Sequence, residues 1–235
     1  NYDMTTKYTE SGYMNTKDQI LVKLDNYINT MKYNPLIISN LSWKHNNNAD
    51  MLIKLQDYGI KSLEVAPYKY FGDTIDKITD INKDLPIYSY QALLYPLNEN
   101  IFDSGSDRIK LMRYLTTMID IASQLDIKIL VFGSPKNRQR KHLTFTEALD
   151  IAIPFFKLLG DYAYTKNVIL CIEPNAKVYG CDFITNSIEG RELVLKVNSD
   201  GFKLHLDVGC IQLERENIID CITLNLDILK HIHFS

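Results

Sequence analysis

Residues 170–175 read LCIEPN, and the apolar run leading into them, Val168–Ile172, stops at Glu173, Pro174 and Asn175. A carboxylate where a buried strand ends is either a polar cap or a working group, and one such residue does not separate the two. Two later runs end the same way: FKLHLD (202–207) on Asp207, and HIH (231–233) on His233. Side chains two apart on a strand share a face. Glu173 therefore lies with Cys171 and Ile169, Asp207 with His205 and Lys203, and His233 with His231. Singly, a strand-end Glu anchors a loop, Asp207 before Val208-Gly209 starts a turn, and His231 is a hydrogen-bonded core residue. Together, two carboxylates and an imidazole closing three consecutive strands suit a divalent ion such as Mn²⁺, Mg²⁺, Co²⁺ or Zn²⁺.

Working outward, β-rich runs recur at Leu36–Ser39, Ser62–Ala66, Ile87–Leu93, Lys128–Phe132, Val168–Ile172, Phe202–Leu206 and His231–Phe234. Between them apolar residues take helical spacing, as in Leu111-Leu115-Met118-Ile121-Leu125 and Ala148-Ile151-Phe155-Leu158. Alternating strands and helices imply βαβ units and a parallel sheet. An open doubly wound sheet and a (β/α)₈ TIM barrel both fit that rhythm. The barrel is favoured because LIISNLSW (36–43) has no GxGxxG loop, and because polar residues gather at the carboxyl ends of many strands.

The expected domain spans 35–235, preceded by a lead-in segment (1–34) with one helix carrying Ile20, Leu21, Leu24, Tyr27 and Ile28. The chain starts at Asn1 without an initiator Met and stops in mid-pattern at HIHFS (231–235). The expectation is a barrel cut after strand seven, with an eighth strand and helix beyond Ser235. Such a piece is expected to be inactive and, with open sheet edges, either to self-associate as a homo-oligomer or to lose stability.

Bulk properties narrow the function classes. With 46% hydrophobic and 23% charged residues the chain is an ordinary globular one. A net charge of −3 gives no electrostatic footprint for nucleic acid. Cys171, Cys181, Cys210 and Cys221 show no CxxC spacing, as expected of reduced thiols in a cytoplasmic protein. No apolar run nears the roughly 18 residues of a membrane span.

LCIEPNAKVYGCDF (170–183), FKLHLDVGC (202–210) and HIHFS (231–235), with SLEVAP (62–67) and LVFGSP (130–135) upstream, carry a family resemblance. From about Leu36 to Ser235 the chain resembles the xylose isomerase-like TIM-barrel sugar phosphate isomerases and epimerases of the AP endonuclease 2 superfamily. The resemblance implies a metal held by a Glu after strand five, an Asp after strand six, a His after strand seven and a Glu after strand eight. The first three match Glu173, Asp207 and His233, and the fourth would lie beyond residue 235. It also implies that Glu173 moves the proton. Two positions depart from the ketose epimerases of the group: Cys210 stands where they carry a His, and Tyr179 where they carry a Glu. Both departures touch hydroxyl recognition rather than the metal.

The candidate substrate contacts are Glu64, Gln91, Arg138, His205 and Trp43. Glu64 and Gln91 end strands two and three, where they bind a polyol or anchor loops. Ser134, Lys136 and Arg138 follow strand four, and Arg138 offers a planar fork for a phosphate or sits in a solvated loop. Trp43 stacks on a sugar face or covers the core. The expected function is a divalent-metal-dependent sugar or sugar-phosphate isomerase or epimerase working through an enediolate. One rival is a barrel that binds a sugar or partner without catalysis. The other, the DNA-repair endonucleases sharing this barrel, needs histidines from strands two and three that Glu64 and Gln91 replace.

Overall fold

The computed structural model describes residues 37–43, 48–69, 83 and 85–235. Leu36–Ser235 forms one compact unit. The expected lead-in helix of 1–34 lies outside the described residues.

Among the described residues seven strands build the unit: β1 (Ile37–Ser39), β2 (Ser62–Val65), β3 (Ile87–Tyr90), β4 (Ile129–Phe132), β5 (Ile169–Ile172), β6 (Phe202–Asp207) and β7 (Leu229–His233). All neighbours pair in parallel, in the order β1-β2-β3-β4-β5-β6-β7. A doubly wound sheet reverses its strand order at a switch point, and this sheet does not. It also curls. Strands β2 and β7 are five positions apart, which in a flat sheet means about 24 Å at the usual strand spacing. Yet His231 of β7 stands 3.0 Å from Glu64 of β2. This is the TIM-barrel arrangement, here with seven strands.

The helices among the described residues are α1 (Asn48–Asp57), α2 (Gly105–Gln124), α3 (Phe145–Thr165), α4 (Ser187–Val197), α5 (Val208–Leu213) and α6 (Ile218–Thr223). Their starts follow local chemistry. Ser104 accepts from Asp107 N, Thr144 and Glu147 form a reciprocal capping box, and Asn186 accepts from Glu189 N. Each side-chain oxygen satisfies an N–H that the first helical turn leaves without a partner.

Two apolar layers fix which way each strand residue points. Phe132 of β4 meets Phe156 of α3 edge-on at 5.1 Å, and Phe156 stacks on Phe202 of β6 at 4.8 Å. These residues form the seam between sheet and helices. On the opposite face Ile129, Val131 and Cys171 pack together with Tyr88 and Ile169 inside the curl. Cys171 thus points inward, and alternation carries Glu173 inward after it. Gly201 lets α3 approach: a Cβ there would lie 2.1 Å from the Gly160 carbonyl oxygen.

Two boundaries differ from expectation by more than one residue. β3 was expected to run to Leu93 but stops at Tyr90, because Ala92 takes a left-handed conformation (φ 51°) that turns the chain. β7 begins at Leu229, two residues before the expected start, and pairs Leu229 with Leu204.

Candidate active and metal-binding site

Glu173, Asp207 and His233 occupy the carboxyl ends of β5, β6 and β7, and the parallel register sets Asp207 directly opposite His233. His233 Nδ1 lies 3.5 Å from Glu173 Oε1 and 4.0 Å from Asp207 Oδ2. His233 therefore faces both expected carboxylates. A tighter trio exchanges Asp207 for His205: ligand atoms of Glu173, His205 and His233 all lie within 4.8 Å of one another. Asp207 is also engaged elsewhere, accepting from Cys210 N (3.0 Å) as the cap of α5 and from Ser235 Oγ (2.8 Å).

His205 is fully buried, and neither of its ring nitrogens has a hydrogen-bond partner. Its Nδ1 stands 3.4 Å from Glu173 Oε1 without hydrogen-bond alignment. Burial, with His233 and His231 beside it, pushes its pKa well below the ordinary value and keeps the ring neutral. A neutral imidazole is the form that ligates a metal.

A second cluster centres on Glu64, which is almost wholly buried. Its Oε2 accepts from Ser89 Oγ (2.8 Å) and lies 3.0 Å from His231 Nε2; its Oε1 accepts from Gln91 Nε2 (2.9 Å). Gln91 Nε2 also donates to Ser39 Oγ. His233 Nε2 is 2.8 Å from Glu64 Oε1, but its N–H does not point at that oxygen. Burial would raise the Glu64 pKa, yet His231 and His233 outweigh it and hold the carboxyl at about 2. Burial likewise opposes protonation of His233, and the Glu173 and Glu64 carboxylates overcome it, raising the ring to about 10. Glu64, His231 and His233 form another trio of potential ligands. Glu64 is already satisfied by Ser89, Gln91 and His231.

A divalent cation fits the Glu173 side of this arrangement. The donors are carboxylate oxygens and imidazole nitrogens, which suit ions of the Mn²⁺–Zn²⁺ range. The buried ring nitrogens of His205 have no hydrogen-bond partner, and its Nδ1 stands 3.4 Å from Glu173 Oε1, so that they are available as donors to such an ion.

Other expected contacts fall differently. Arg138 is a correction: it is fully buried, and its Nη2 donates to Glu173 O (2.7 Å) and Asn175 Oδ1 (2.6 Å). A guanidinium committed to the protein interior is no fork for an incoming phosphate. Nearby, Lys136 donates to Tyr95 O (3.1 Å) and lies over the Tyr95 ring. Glu64 and Gln91 bind each other. Trp43 follows the turn after β1 and is half-buried. Cys210 is buried, its thiol pushed up chiefly by burial, whereas Tyr179 is exposed in the turn Lys177–Tyr179. Sequence reasoning missed Ser89 and Asn175. Asn175 lies two residues beyond Glu173, and that spacing was its available signal.

No curated relative matches the chain in sequence. Solved structures do resemble it. The apo form of 3-keto-D-glucoside 4-epimerase, YcjR, from E. coli is 14% identical over 85% of this chain and 78% of its own, with a TM-score of 0.70. A D-psicose 3-epimerase crystallised in the presence of D-fructose is 18% identical over 85% and 72%, also at 0.70. The D-psicose 3-epimerase with D-tagatose from Clostridium cellulolyticum H10 is 16% identical over 85% and 72%, again at 0.70. At these identities the likeness is one of fold. The family model for the xylose isomerase-like TIM barrel matches residues 52–235, and the chain belongs to that family.

Proposed function

We propose that this protein is a divalent-metal-dependent isomerase or epimerase of sugars or sugar phosphates, moving one proton through an enediolate. The observation that carries the reading is the meeting of Glu173, Asp207 and His233 at one end of three adjacent strands, beside the partnerless His205. Glu173, Asp207 and His233 would hold the ion, with His205 within reach. When bound, such an ion would supply Lewis acidity toward a carbonyl and a neighbouring hydroxyl, making the C–H between them more acidic.

Everything else falls to the chain. Glu173 takes the proton and returns it, either to the opposite face of the same carbon, giving epimerisation, or to the adjacent carbon, giving isomerisation. The buried neutral His205 and the apolar layer beneath it, Cys171 and Val131, keep water away from the lower side of the site. The solved relatives named as epimerases of psicose and of a keto-glucoside support a polyhydroxy substrate class.

The test is Glu173→Gln in the full-length protein, with turnover measured over a panel of ketoses and ketose phosphates and melting temperature measured in parallel. Gln keeps the volume and an oxygen but takes up no proton. Turnover should fall by about 10² to 10⁴ with the melting temperature nearly unchanged. Unchanged turnover would make Glu173 a structural strand end.

A further inference from the structure

We propose that Arg138 and Asn175 are positioning residues for Glu173. The guanidinium fixes the orientation of the Asn175 amide, the amide holds Glu173 Oε2, and Oε1 is thereby turned to the imidazoles of His205 and His233. The inference rests on the reading above, in which Glu173 binds the metal and moves the proton.

Arg138 sits in the turn after β4, fully buried, and among the described residues no carboxylate oxygen lies within 4.0 Å of its guanidinium. A buried cation is costly unless hydrogen bonds and an opposite charge compensate it. Its bonds run to Glu173 O and Asn175 Oδ1, with Ile184 O 3.5 Å from Nη1. The opposite charge is the Glu173 carboxylate, reached through one amide.

That amide has only one workable orientation. Arginine has donors and no acceptor, so the atom it meets at 2.6 Å must be Oδ1, which turns Nδ2 the other way. Nδ2 then donates to Glu173 Oε2 at 3.0 Å. The carboxylate accepts only, so it selects the same orientation from the other end, and the amide is locked between the two. With Arg138 gone, Oδ1 loses its buried partner and the amide keeps only one of its two fixed points.

Two backbone features support the assignment. Gly133 leaves room for the carboxylate, since a Cβ there would stand 2.2 Å from Glu173 Oε2 and 3.5 Å from Asn175 Oδ1. Ile184 is held at φ 58°, a left-handed conformation costly for a β-branched residue. Its carbonyl accepts from Asn175 N (3.2 Å) and faces Arg138. Strain and an excluded Cβ both serve the same few atoms. With Oε2 occupied by the amide, Oε1 stands 3.4 Å from His205 Nδ1 and 3.5 Å from His233 Nδ1.

The experiment measures Mn²⁺ binding by titration calorimetry on the whole chain, for wild type, Asn175→Ala and Arg138→Lys, with circular dichroism to confirm folding. Asn175→Ala removes the amide yet leaves the Arg138 bond to Glu173 O. Arg138→Lys keeps the charge and loses the planar fork. Both should bind Mn²⁺ about 10- to 100-fold more weakly than wild type, the usual consequence of losing a partner of a metal ligand. Folded variants with wild-type affinity would overturn the relay while leaving the metal site standing. If Arg138→Lys fails to fold, Asn175→Ala decides alone. Folded wild type that binds no Mn²⁺ would overturn the metal reading, and the relay with it.

Discussion

At the scale of the residue, the site is governed by who sits beside each carboxylate. Gly133 offers a clean test, since its backbone is unstrained and only space is at issue. Gly133→Ala places a methyl group where Glu173 Oε2 now lies, so the carboxylate must move. We expect a loss of about 1–3 kcal/mol in stability, the usual cost of overpacking, together with weaker Mn²⁺ binding, read by denaturation and calorimetry on one preparation. Titration gives a second test. His205, depressed below its ordinary value of 6.5, stays neutral when the unfolded chain takes up a proton, so stability falls as pH drops below 6.5. Glu64, held at about 2 against an ordinary 4.5, adds stability that is lost as pH falls from 4.5 toward 2. His233, raised to about 10, contributes stability fully present below 6.5 and lost as pH rises through 10. Melting temperature of the metal-free protein should therefore peak near pH 6.5 and decline on both sides. A flat profile between pH 5 and 9 would contradict these buried neighbourhoods.

At the scale of the element, the strands were legible because each is a short apolar run with both faces covered. β2, β4 and most of β5 are buried throughout, as parallel strands are. Their inward parity followed from alternation alone, which is why Glu173, Asp207 and His233 could be placed on one face from the sequence. The partners of those residues could not be. Arg138 reads as a solvated loop arginine until the turn Pro135–Arg138 folds it inward against Asn175, a contact 37 residues apart in the chain. His205 sits two residues before Asp207 and shares its face, yet nothing in the sequence shows that its ring lacks partners. Helix ends are the most local features, and they can be tested independently of the site. The Thr144–Glu147 capping box starts α3 on an exposed surface. Thr144→Ala should cost about 1 kcal/mol, a fall of roughly 2–4 °C in melting temperature for a chain of this size. Turnover and Mn²⁺ affinity should stay at wild-type values, and a change in either would tie α3 to the chemistry.

At the scale of the whole barrel unit, the feature that separates a curled sheet from an open one is the buried polar network across its interior. Ser39 of β1, Glu64 of β2, Ser89 of β3, Gln91 just beyond it and His231 of β7 are joined by hydrogen bonds. Glu64 and His231 are 167 residues apart in sequence, so any energetic coupling between them reports closure rather than local structure. Glu64→Gln and His231→Gln, singly and together, form the cycle, with unfolding free energies from urea denaturation at pH 7 without metal. Each single change breaks a hydrogen bond to the buried Glu64 carboxylate, a loss typically of about 1.5–3 kcal/mol for a bond to a charged group, and the second change should cost much less once the first is made. A coupling energy of about 1–3 kcal/mol is expected for residues in direct contact within one network. Sites on distant strands of a flat sheet share no partner and add to within about 0.5 kcal/mol. Additivity here would mean that β7 does not come round to β2 in solution. It would also separate Glu64 from His233, whose Nε2 stands 2.8 Å from Glu64 Oε1.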